Sequence, residues 1–190
     1  MKIDASTVVV ITGASSGIGA ECAVACAQKG ASVVLVARID AVATTHGHID
    51  VLINNAGRGN HASVEDTPTT QWRSMFSVNV DSVFWLTSRA LPLMKKADRG
   101  HIIAISSVAG RYGHPFNAAY VAAKHAVVGF IAALRTELVG TNVHATTICP
   151  AGVVTEWADA TEGGSIGALY ARAIPRSRMI SREKGLGIAP

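Results

Sequence analysis

The chain is poor in cysteine, in charge and in long apolar runs, and each shortage excludes something. Only three cysteines, Cys22, Cys26 and Cys149, occur in 190 residues. The odd number and the lack of CxxC spacing argue against a disulfide framework and fit a reducing, cytoplasmic compartment. Cys22 and Cys26 stand four apart in a helical stretch and read as two small buried hydrophobes. Charged residues make up 16% of the chain against 49% hydrophobic, a balance that supports a sizeable core and argues against disorder. The net charge of +4 is mild, and the basic residues are scattered until the last twenty positions. No clustered patch marks a nucleic-acid surface, and anionic small molecules, cofactor phosphates among them, suit this balance better. No apolar run reaches the roughly 20 residues that span a bilayer, and the chain enters its first strand without a basic leader. Neither nucleic acid nor membrane is therefore expected as a partner. His46 and His48 are close, but no acidic or cysteine partner stands at metal spacing, so no metal is expected.

What is present is alternation. Residues 8–12, 31–37, 51–54, 101–106 and 143–148 are short runs rich in β-branched residues, the pattern of strands buried on both faces. Between them, residues 20–28, 70–93 and 118–139 have helical composition, with Gly30, Pro92 and Gly140 near their ends. Strands alternating with helices predict an α/β fold of Rossmann type. The expected form is one domain, a doubly wound parallel sheet in three α/β/α layers.

Residues 12–19, TGASSGIG, join the first strand to the first helix. There Gly13 permits the tight turn, Gly17 lets backbone approach a pyrophosphate, and Gly19 lets helix pack closely on strand. The helix start then offers N–H groups to phosphates, and Ser15, Ser16 and Ile18 lie in the same turn. Alone, such a turn is also an ordinary strand–helix junction. Near the end of the second strand stand Ala37 and Arg38, with no acid before Asp40. An arginine there favours the 2′-phosphate of NADP(H) over the ribose hydroxyls of NAD(H), though Arg38 also reads as a solvated strand-end residue.

Tyr120 and Lys124 stand four apart in YVAAK, on one face of a helix. An ammonium beside a phenol lowers the phenol pKa from about 10 toward the working range, so that the tyrosine can act as general acid or base. A lone YxxxK is ordinarily structural. Ser106 and Ser107 close a strand, where ligands gather outside the carboxyl ends of a parallel sheet, and a serine hydroxyl there can donate to a substrate oxygen.

Together these residues resemble the short-chain dehydrogenase/reductase family, over roughly residues 8–155. TGASSGIG at 12–19 is similar to its cofactor turn. NNAG at 54–57, with Asn55, Ala56 and Gly57, is similar to the motif beside the adenine side of its site. Ser107, Tyr120 and Lys124 fall at the family's separation for its catalytic serine, tyrosine and lysine, and Asn79 in SVNV matches the asparagine of its tetrad. PAGVVT at 150–155 resembles the segment over the nicotinamide, with Pro150, Gly152, Val153 and Thr155 as contacts. The resemblance implies that Tyr120 protonates a carbonyl oxygen as hydride arrives and that Ser107 holds that oxygen. It also implies that Lys124 binds the nicotinamide ribose and that Asn79 holds a water relaying protons to Lys124. It further implies a small carbonyl or alcohol substrate, and a homo-dimer or homo-tetramer formed through the helices at 70–93 and 118–139. The alternatives are a non-catalytic NADP-binding sensor and an inactive, truncated relative.

The chain departs from the family in three places. Between Arg38 and Asn54 lie fifteen residues where the family has a helix, a strand and another helix, and no βα unit fits there. Either the chain is shortened, or residues are missing from the sequence near 38–44; the intact flanking motifs favour the second. The family's last helix and other edge strand are missing after residue 155, so the C-terminus reads as incomplete. Ala151 stands where the family has glycine. The resemblance implies that the segment after Thr155 shapes the substrate pocket, with Trp157 and Tyr170 lining it, though Trp157 reads equally as a packing residue. Arg172, Arg176, Arg178, Arg182 and Lys184 read as a solvated segment or as a site for a phosphate-bearing substrate.

Overall fold

The structure, a computed structural model, describes residues 1–35 and 38–151. Among the described residues, five parallel strands form one sheet in the order β2-β1-β3-β4-β5: β1 (Val8–Ile11), β2 (Ser32–Leu35), β3 (Val51–Asn54), β4 (Gly100–Ile105) and β5 (Val143–Ile148). The order reverses direction at β1, which leaves a crevice at the carboxyl ends of β1 and β3, where the TGASSGIG and NNAG segments emerge.

Period-two alternation explains why the strands are apolar throughout. Val8 and Val10 face one side with Leu52, Ile102, Ala104, Val143 and Ala145, while Val9 and Ile11 face the other with Val51, Ile53 and Ile105. Helix α1 (Gly17–Gln28) covers the second side through Cys26, Cys22, Ala23 and Ile18. Burial pushes the Cys22 thiol up to about 11, so both α1 cysteines are inert packing residues, as their spacing suggests. The first side is covered by α2 (Ile39–His46), by α4 (Ser82–Lys96) and by α5 (Ala118–Glu137). The predicted three-layer architecture is therefore present. Helix α5 is long and apolar enough to cross a membrane by length and composition. Its buried side, which includes Ala123, Val127, Ile131 and Leu134, packs instead into the protein core.

Two elements differ from expectation. Residues 39–53 hold a helix, α2, ended by Gly47 in the left-handed conformation at φ 75. A lone eight-residue helix fits an interval too short for a βα unit, and among the described residues no strand lies between β2 and β3. The single helix predicted at 70–93 runs from Thr69 to Lys96 in three parts: α3 (Thr69–Phe76), a π-helical turn (Ser77–Asp81), and α4. Pro92 lies inside α4 rather than closing it. At the opposite end of the sheet the buried Asp50 ties strand starts together, accepting from Val8 N at 2.8 Å and lying 2.7 Å from Arg99 Nε.

Candidate active site

The site begins at the glycine turn. Gly13 takes φ +63, which a side chain rarely adopts, and a Cβ there would stand 2.8 Å from Ala56 Cα. A Cβ on Gly19 would collide with Gly13 O and with Asn55 Nδ2. Helix α1 can therefore meet the end of β1 only because residue 19 has no side chain. Asn55 holds the turn from across the crevice: its Nδ2 donates to Thr12 O at 3.1 Å and to Gly13 O at 2.9 Å. Thr12 Oγ1 accepts from Asn55 N and Ala56 N, both at 3.0 Å. Thr12 is thus a positioning residue that sequence reasoning passed over. Its signal was a hydroxyl at a strand end opposite NNAG. Ser15 and Ser16 are exposed, and Ser16 makes no side-chain cap bond, so the first N–H groups of α1 face the crevice without a capping side chain. Gly19→Ala is expected to lower stability by about 2 kcal/mol or more and to weaken nucleotide binding. A variant that melts and binds like the parent would contradict the close-approach reading.

At the carboxyl end of β4, Ser106 and Ser107 have different surroundings. Ser106 is buried, and its Oγ donates to Lys124 O at 3.0 Å, fastening α5 to the strand end. Ser107 faces the cleft side: its Oγ accepts from Ala109 N at 3.1 Å, and it hydrogen-bonds the Tyr120 phenol. Lys124, one turn after Tyr120 on α5, is buried. Its Nζ donates to Ile105 O at 3.1 Å and stands 5.6 Å from the centroid of the Tyr120 ring.

Asn79 enters from the π-helical turn, a device that recurs where a helix presents a functional group. Its Nδ2 donates to Arg58 O at 2.9 Å and to Met75 O at 3.0 Å. Its Oδ1 is buried, and among the described residues nothing donates to it. A Cβ on Gly57 would lie 2.7 Å from that oxygen and 3.2 Å from Lys124 Nζ. Gly57 therefore sits between Asn79 and Lys124, and its lack of a side chain keeps the space between them open.

The electrostatics depart from the expectation that Lys124 lowers the tyrosine pKa. Burial pushes the Tyr120 phenol up to about 12, and only the hydrogen bond from Ser107 opposes it. Burial also pulls Lys124 down to about 8, with Cys149 acting in the other direction. In this protein alone, desolvation outweighs the proximity of the ammonium at the phenol.

The structure thus brings Ser107, Tyr120, Lys124, Asn79 and Gly57 to one place, with Gly13, Gly17, Ile18, Gly19, Asn55 and Ala56 at the adjoining crevice. Pro150 is tied to the serine turn, its O accepting from Val108 N at 3.0 Å. Arg38 is exposed at the start of α2. Gly152, Val153, Thr155, Trp157, Tyr170 and the basic residues from Arg172 onward lie outside the described residues.

Known proteins resemble this chain in sequence and in fold. The short chain dehydrogenase family model matches residues 7–44 and 37–164, two stretches that join within the interval after β2. An uncharacterised oxidoreductase of Staphylococcus saprophyticus is 35% identical over 187 aligned positions, covering 80% of this chain and 76% of that protein. The D-beta-hydroxybutyrate dehydrogenase of Cupriavidus necator is 42% identical over 109 positions, covering 57% of this chain and 42% of that protein. A short chain dehydrogenase/reductase of Burkholderia phymatum, solved in complex with NAD, superposes with a TM-score of 0.82 at 25% identity, over 98% of this chain and 85% of that one. The chain belongs to the short-chain dehydrogenase/reductase family and is an oxidoreductase of that type.

Proposed function

We propose that the protein transfers hydride between NADP(H) and a small carbonyl or alcohol, with Tyr120 moving the proton. The observation that carries this reading is the convergence of Ser107, Tyr120, Lys124 and Asn79 at the carboxyl ends of β3 and β4. The residues present fit a dinucleotide: uncapped N–H groups at the start of α1 suit a pyrophosphate, and Arg38 suits a 2′-phosphate. When bound, the nicotinamide supplies the hydride.

The chain's own residues handle the oxygen and the proton. The Ser107 hydroxyl holds the substrate oxygen beside the Tyr120 hydroxyl. Tyr120, protonated throughout the neutral range, donates its proton to that oxygen on reduction. Lys124 binds ribose hydroxyls and, when charged, stabilises the phenolate left behind. Asn79 Oδ1, an unpaired buried acceptor near the ammonium, holds a proton-relaying water. Pro150, whose O holds the serine turn, would lie beside the nicotinamide.

The raised phenol pKa sets the sign of the pH dependence. Reduction needs the neutral phenol, which is the dominant form at every pH below about 12. Oxidation needs the phenolate, whose population rises tenfold per pH unit below that value. Alcohol oxidation is therefore expected to climb from pH 6 to pH 8 and to level off above it, as Lys124, held down to about 8, loses the charge that stabilises the phenolate, while carbonyl reduction shows no matching rise. Oxidation that is flat with pH at saturating cofactor and a chemistry-limited rate would contradict the role given to Tyr120.

The cofactor reading is tested by titrating the protein with NADPH and with NADH, following nicotinamide fluorescence. Tight NADPH binding with weak NADH binding is the expected result; the reverse order would overturn it. Phe84 of α4 meets Phe130 of α5 edge-on at 6.2 Å with Phe84 half exposed, which supports a homo-dimer or homo-tetramer through these helices. The free cysteines suit a cytoplasmic setting. A non-catalytic NADP-binding role fits less well, because the full tetrad is retained.

A further inference from the structure

The segment from Ser107 to Tyr120 carries both hydroxyls of the site, and its middle holds a strained residue. Ser107 caps a 3-10 turn (Val108–Gly110), after which Tyr112 N donates to Val108 O at 3.1 Å. Phe116 follows just before α5 and has φ 55, the left-handed region where a bulky side chain is strained. Among the described residues the only other non-glycine there is Asp98, whose short polar side chain tolerates it. Burial of the ring does not offset the strain, since Phe116 is 51% exposed.

That conformation is held from the loop after β3. Ala62, downstream of Gly57, donates its N–H to Phe116 O at 2.9 Å and forms a β-bridge with Asn117. The two loops so joined carry three exposed apolar side chains, Val64 at 73%, Tyr112 at 70% and Phe116. Further in, the Tyr120 ring packs with Met75, Ala109, Ala119 and Ala123, so the surroundings of the phenol are apolar too. The charged groups that flank the three side chains in sequence do not select an ion. Asp66 accepts from Ser63 Oγ at 2.6 Å within its own turn, and Glu65 and Arg111 are of opposite sign.

We infer that Phe116, Tyr112 and Val64 form the wall that receives the apolar part of the substrate, and that the substrate is an uncharged ketone extending several carbons beyond its reacting carbon. Strained residues persist where their surroundings over-determine them, and they gather at ligand clamps. Apolar side chains left in water beside a reaction site mark a ligand surface and are stabilised when an apolar chain covers them. The inference rests on the reaction proposed above and adds its substrate class, with Phe116 as the main specificity-determining residue.

The test measures kcat/KM for the methyl ketones from 2-butanone to 2-octanone, and for 2-keto acids of matching length, in the full chain and in Phe116→Gly and Tyr112→Ala. Glycine is used at 116 because it accepts the positive φ, and Tyr112→Ala carries the test should that variant not fold, which circular dichroism checks. In the parent, kcat/KM is expected to rise about two- to fourfold with each added methylene, and each ketone is expected to exceed its keto acid. In the variants that rise is expected to flatten, with 2-butanone least affected and NADPH binding unchanged. A parent that reduces neither series overturns the proposed reaction and this inference with it. A parent that reduces ketones without regard to chain length, or prefers the keto acids, overturns this inference alone. So does a chain-length dependence that survives in the folded variants; a simultaneous change in their oligomeric mass would then make these side chains a subunit contact.

Discussion

Tyr120→Phe is expected to lower kcat by about 10²–10⁴-fold, the range in which a positioned proton donor contributes, while NADPH affinity stays within about twofold. The substitution removes one oxygen and leaves the ring packed among Met75, Ala109, Ala119 and Ala123. Ser107 keeps the Ala109 N–H at 3.1 Å, so the turn that carries it has no reason to move. The phenol combines a proton held through neutral pH with a hydrogen bond to a second hydroxyl. The loss should therefore appear in kcat rather than in KM, because the missing interaction is one made as the oxygen takes its proton. Turnover near that of the parent would mean that another group, or water, supplies the proton.

Lys124→Met is expected to abolish most activity and at the same time to make the cofactor-free protein more stable. The sign follows from burial. The folded-state pKa of Lys124 is pulled down to about 8 from an ordinary value of 10.5. A depressed lysine opposes folding wherever the unfolded chain would hold the proton more readily. The penalty is fully present below about pH 8 and disappears as the pH rises toward 10.5. Its nominal size at pH 7 is roughly 3 kcal/mol, against about 1 kcal/mol for leaving Ile105 O without its donor. The variant is therefore expected to gain about 1–2 kcal/mol at pH 7, a Tm rise of a few degrees. The difference from the parent should shrink by pH 10. Tyr120 has the opposite linkage, its raised pKa removing stability between about 10 and 12, so the comparison is best kept below pH 10. A variant less stable than the parent at pH 7, or a gain that does not shrink with rising pH, would contradict the account of a strained, buried ammonium held in place for function.

The sheet and most of the site were legible in the sequence because each rests on local pattern. Continuous β-branched runs announced strands buried on both faces, and alternation within them separates Val8 and Val10 from Val9 and Ile11. Glycines were readable where a side chain would collide, as at Gly19. Other features were not legible because they depend on tertiary contact. Helix α2 has a short, β-branched sequence whose helicity comes from burying Ile39 and Val42 against the core. The π-helical turn at Ser77–Asp81 has no sequence mark, yet it is what delivers Asn79 to Arg58 O and Met75 O. The direction of the Tyr120 shift was misjudged because a four-residue spacing reports proximity to Lys124 but not the burial that outweighs it.

The most direct test of hydride transfer uses NADPH carrying deuterium at the reactive nicotinamide carbon, mixed with the protein and a panel of aliphatic, aromatic and keto-acid carbonyls. The alcohols formed are then analysed by mass spectrometry, with Tyr120→Phe as control. The account predicts deuterium on the former carbonyl carbon of at least one alcohol, with far less in the control. Tight NADPH binding without transfer of label to any carbonyl would contradict it and favour a protein that binds the dinucleotide without turning it over.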